Sequence, residues 1–75
     1  MSDFIQAFGR TVRQLREARN WSQELLAEKA DLNRSYLGEI ERGDVVPSLL
    51  TAAKLSNAFA LPVSALLAAS EGLQQ

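Results

Sequence analysis

Residues 22–43 read "SQELLAEKADLNRSYLGEIERG", two short helical patterns separated by a three-residue break. Ser22 is suited to cap a helix by accepting a backbone N–H. Trp21 just before it and Leu26 four positions after it have the spacing of a hydrophobic staple. The same device recurs at once, with Asn33 as the cap, Leu32 before it and Leu37 four positions later. The signals predict helices over about 23–30 and 34–42, a break at Asp31-Leu32-Asn33, and a stop at Gly43.

Working outward, Ile5, Phe8, Val12 and Leu15 mark one face of a first helix from about Asp3 to Arg19, with Arg10, Arg13 and Glu17 on the far side. Asn20 tolerates the left-handed conformation that ends a helix. Ser48 caps a fourth helix, Leu49 to about Phe59, whose expected inner stripe is Leu49, Ala52, Ala53, Ser56 and Phe59. A fifth, shorter helix follows Leu61-Pro62, because proline fits a first turn, and carries Val63, Leu66 and Leu67. Residues 1–69 form one expected domain and 70–75 a frayed tail. No strand-like alternation competes, so the fold class is all-α, a five-helix domain.

Composition narrows the function. A 75-residue chain has room for one core and no large enclosed active site. With no cysteine and no histidine, the commonest metal ligands and neutral-pH bases are missing, so neither an enzyme nor a metal or cofactor site is expected. The first ten residues, "MSDFIQAFGR", show no signal-peptide pattern, and no run of about 18 apolar residues occurs. A cytoplasmic protein without membrane contact is expected. Net charge is −1, which disfavours strong non-specific nucleic-acid binding. Arg10, Arg13, Arg16 and Arg19 crowd the first helix, however, as a basic face compatible with phosphate. Solvation is the rival reading for most of them, since Arg13 and Glu17 form an i, i+4 pair.

Two helices joined by so tight a turn cross steeply and need a small residue at the crossing. Ala27 fits that position, with Leu26, Ala30, Leu32, Leu37 and Ile40 around it. The spacing from Leu26 to Ile40 is that of a DNA-binding helix-turn-helix, whose second helix lies in the major groove. At these residues the chain resembles the phage-repressor and Cro-like (XRE-type) helix-turn-helix family, a lambda-repressor-like fold that includes the controller proteins of restriction–modification systems. The resemblance extends from about residue 8 to 67, with "ALPVSALL" similar to the family's approach to its fifth helix. Four positions depart from the family's pattern. Asp31 occupies a position that is usually glycine, Gly38 interrupts the third helix, and Leu25 and Leu50 replace residues that are usually polar.

The resemblance implies that Gln23 contacts the DNA backbone and that Arg34, Ser35 and Glu39 reach base edges. The last three also share one helix face, and Arg and Glu suit guanine O6/N7 and cytosine N4. Tyr36, Arg42 and Arg10 are assigned to the DNA backbone, as is Asn33 beside its cap role. The last two helices hold more apolar positions than one stripe each buries, so Leu50, Phe59, Leu66 and Leu67 are expected at a self-association surface. The expected function is a sequence-specific transcriptional regulator. It would bind double-stranded DNA as a homodimer on an inverted repeat, without a small-molecule ligand. The rival is a protein-interaction module of the same fold, an antitoxin or antirepressor.

Overall fold

Caps decide where the helices begin. Ser22, Asn33 and Ser48 hold extended backbone, and their side chains accept from the N–H groups of Leu25, of Ser35 and Tyr36, and of Thr51. A computed structural model describes residues 3–73 and contains α1 (Asp3–Ala18), α2 (Gln23–Ala30), α3 (Arg34–Arg42), α4 (Leu49–Ala58) and α5 (Val63–Leu73). Asn20, Asp31 and Gly43 close their turns in the left-handed region, at φ 58°, 55° and 77°. Asp31 thus does the work of the expected glycine. Lys54 of α4 steadies it, its Nζ 3.2 Å from the Asp31 carbonyl oxygen.

Helix α1 packs on α3 and α5, and α2 packs on α3 and α4. Phe8, Val12, Leu26, Leu37, Ile40, Leu55 and Leu66 fill the centre, with Ala27 buried between α2 and α3 as a tight crossing requires. Trp21 stacks on Phe59 with ring centroids 5.9 Å apart, which joins the α1–α2 turn to the end of α4. The Arg19 guanidinium lies over both rings and donates to the carbonyls of Leu15 and Phe59.

Several expectations need correction. Leu49 is 82% exposed rather than inward-facing. It is the first residue after the Ser48 cap and lies off the end of the stripe, which runs through Ala52, Leu55, Ser56 and Phe59. Phe59 and Leu66 are core residues at 2% and 0% exposure, so neither side chain is available to a second molecule. The last turns of α5 continue to Leu73, where a tail was expected from residue 70. Ser70 is wholly buried there, its hydroxyl donating to the Leu66 carbonyl. Residues 74 and 75 of that expected tail lie outside the described residues.

The basic face of α1 is reduced to Arg10 and Arg13. Arg13 pairs with Glu17, and Arg16 turns inward to Glu41 of α3, with Nε 2.8 Å from Oε2 and Nη2 3.1 Å from Oε1. The Glu41 side chain is 3% exposed and that of Arg16 12%. Hydrogen bonding to Glu41, partly opposed by burial, raises the Arg16 pKa above its ordinary value, so the guanidinium stays charged. Nearby, α1 and α3 approach so closely that a Cβ on Gly9 would collide with the carbonyl oxygens of Ile40 and Glu41.

Two contrasts in urea-denaturation free energy test this packing. Gly9→Ala should cost about 1–3 kcal/mol, because the obstructing atoms are backbone and must move. An unchanged value would mean that the two helices are not in backbone contact. Arg16→Ala should cost about 3–5 kcal/mol, the effect of stranding a buried carboxylate. Arg13→Ala, which removes an exposed pair, should stay within about 0.5 kcal/mol.

Candidate nucleic-acid interface

Because Leu37, Ile40 and Glu41 anchor one side of α3 in the core, its opposite side is turned outward. Against the start of α2 it forms an open concavity of about 400 Å³ lined by Gln23, Arg34, Ser35, Gly38, Glu39 and Arg42. The three candidate base readers and two of the candidate phosphate contacts therefore share one surface. Arg34 and Ser35 are exposed on the first turn, and Glu39 is half-buried.

The remaining candidates lie apart. The Asn33 Oδ1 caps α3, accepting from Ser35 N at 2.8 Å. Tyr36 is half-buried and its hydroxyl lies 3.3 Å from Thr51 Oγ1, tying α3 to α4. Arg10 is exposed on α1, outside the concavity. Leu50 is 67% exposed and Leu67 half-buried, both outside the concavity.

Partner assignments separate free charges from structural ones. Arg13, Arg16, Arg42 and Lys54 form ion pairs, and Arg19 and Lys29 lie against aromatic rings. Arg34 and Arg10 engage no partner among the described residues, so Arg34 is the unpaired cation of the concavity. The Arg42 Nε is held by Asp44 Oδ2 at 3.0 Å, both side chains being mostly exposed. Gly38 adds no side chain to this surface. A Cβ there would meet only the Arg42 guanidinium, at 3.2 Å from Nη1.

Residue-by-residue reading missed the group that positions the concavity. Glu41 accepts from Arg16 and, at Oε1, from Gln23 Nε2 at 3.0 Å. Arg16 also donates to the Trp21 carbonyl at 2.8 Å, so one buried carboxylate gathers α1, the α1–α2 turn, α2 and α3. The available signal was Glu41's place four positions after Leu37, on the inner face of α3. Among the described residues no group of acids is arranged to hold a metal.

A helix-turn-helix family model matches residues 12–66. The chain is 42% identical over 59 residues to the immunity repressor protein of Bacillus phage phi105, covering 79% of this chain and 41% of the repressor. It is 44% identical over 61 residues to the control protein C.BamHI of Bacillus amyloliquefaciens, covering 80% of this chain and 75% of that protein. The chain thus spans about two-fifths of the phage repressor but most of the control protein. The restriction-modification controller protein C.AhdI from Aeromonas hydrophila matches in three dimensions with a TM-score of 0.80 at 40% identity, over 83% of this chain and 94% of that one. Helix order, exposed α3 face and these relatives agree: the chain belongs to the helix-turn-helix family of DNA-binding transcriptional regulators.

Proposed function

We propose that this chain is a sequence-specific regulator that acts in the cytoplasm as a homodimer on an inverted-repeat operator, with α3 in the major groove. The observation that carries the reading is the shared concavity of Gln23, Arg34, Ser35, Glu39 and Arg42, in which Arg34 has no partner among the described residues. Arg34 bonds guanine O6 and N7, Ser35 supplies a hydroxyl, and Glu39 accepts from a base amino group. Gln23, Arg42 and Arg10 meet phosphates, and Asn33 at the α3 cap and Tyr36 on its first turn lie beside the DNA backbone. Because Glu41 binds one amide hydrogen of Gln23, that side chain arrives at the DNA already oriented.

One recognition helix reads too few base pairs to single out a site among roughly 10⁶ genomic competitors, which is the case for two copies. Leu49 and Leu50 at the start of α4 are exposed, beside an apolar groove of about 210 Å³ whose lining includes Phe4, Phe8, Leu49 and Leu67. A two-fold contact centred on Leu50 and Leu67 buries this surface. It would separate two α3 helices by about 34 Å, one turn of DNA, and the operator half-sites by about 10 base pairs.

Binding measurements with the duplex enriched from a random-sequence pool test the assignments. Arg34→Ala should cost about 1–3 kcal/mol and relax one base position per half-site. Arg42→Ala should weaken binding to all sequences and lower the salt slope by about one. Unchanged affinity in both variants with native circular dichroism would exclude the α3 reading. For assembly, Leu50→Glu should shift sedimentation towards monomer and reduce operator affinity while leaving the helix content intact. A wild type that sediments as a monomer at micromolar concentration, with full affinity for a single half-site, would remove the dimer.

A further inference from the structure

A carboxylate is an unusual lining for a concavity that faces the polyanion DNA, and the surroundings of Glu39 leave it without an ion-pair partner among the described residues. Glu17, Asp31, Glu41 and Asp44 are each matched by a basic side chain. Glu39 engages no side-chain partner among the described residues, although it shares its surface with four donor-bearing side chains, Gln23, Arg34, Ser35 and Arg42. Two of those side chains are partly committed elsewhere. The Gln23 amide donates to Glu41 at 3.0 Å, and the Arg42 Nε donates to Asp44 at 3.0 Å. Arg34, five positions earlier on the helix, forms no ion pair with it. Gly38, immediately before it, has no side chain to cover it.

We propose that Glu39 is a discriminator against non-cognate DNA, admitting only sites that present an exocyclic amino group, cytosine N4 or adenine N6, at its position. The proposal rests on the DNA-binding reading and adds the sign of this residue's effect. Arg34 and Arg42 are attracted to any duplex through its phosphates. Glu39 is repelled by the same field, and docking removes the water that its exposed part still holds. At a cognate site an amino group donates to the carboxylate and offsets that loss. Where the base edge offers only acceptors, as at guanine O6/N7 or thymine O4, the carboxylate is stranded beside lone pairs. Glu39 therefore lowers binding to most sequences more than it raises binding to the right one. On a chain of net charge −1, this holds the non-specific background down further.

The experiment compares wild type, Glu39→Gln, Glu39→Ala and Glu71→Gln. Each binds the duplex enriched by wild type from a random pool and a mixed-sequence duplex of equal length. Glu71→Gln makes the same charge change on an exposed residue of α5, outside the concavity. Glu39→Gln should bind the mixed-sequence duplex more tightly, and its specific-to-mixed ratio should fall about tenfold or more. Its own selected sites should move towards adenine at one position per half-site, because glutamine pairs with N6 and N7. Glu39→Ala should lose a similar part of the ratio, and Glu71→Gln should leave the ratio unchanged. A Glu39→Gln ratio within twofold of wild type, or an equal loss in Glu71→Gln, would overturn the discriminator role alone. A wild type that enriches no sequence would overturn the regulator reading and the discriminator with it.

Discussion

The Glu41 carboxylate, enclosed where α1, α2 and α3 meet, is the interaction on which the candidate DNA-binding surface depends. An acid taken out of water at that depth is tolerable only when its oxygens are fully bonded. Arg16 supplies two bonds from α1 and Gln23 one from α2. Satisfying the carboxylate therefore sets the rotation of α3 about its own axis and fixes which residues face outward. A hydrophobic contact in the same place would hold the helices together but would tolerate more slippage. The directional bonds, with the Gly9 approach and the small Ala27 crossing, leave little freedom for the reading face.

Placement of charge follows from the same economy. Most cations of the chain are consumed internally. Arg16 holds the core carboxylate, Arg19 spans the ends of α1 and α4, and Lys54 steadies the left-handed turn at Asp31. Of the four arginines over 10–19, Arg16 and Arg19 are thus structural tethers, while Arg10 and Arg13 stay exposed. What is left for an external anion is small and localised: Arg34 in the concavity, Arg42 with only its Nε engaged, and Arg10 to one side. A binder of this kind gains little from bulk attraction and relies on geometry at a few positions.

Legibility of the sequence tracked the range of the interaction. Caps and staples act within four or five residues, so Ser22, Asn33 and Ser48 fixed the helix starts and the exposed face of α3 could be read directly. Asn20 and Asp31 revealed their left-handed turns because their side chains favour them. Ala60 adopts φ 58° with no such signal and went unread. Glu41 was missed for another reason, since its burial depends on Arg16, 25 positions away. Phe59 and Leu66 were mistaken for spare apolar surface because a count of apolar positions carries no information about which faces meet. Ser70 hid the last turns of α5 because a serine that bonds its own helix looks polar in sequence yet buries easily.

A nitrogen-edited NMR titration of the full chain with its enriched duplex would map the contact surface directly. The expected result is that amide shifts concentrate at Gln23 and across 33–39, that the Arg42 side chain moves with them, and that the buried Glu41 network survives. Shifts confined to α4 and α5, with the α3 amides unmoved, would contradict α3 as the reading element.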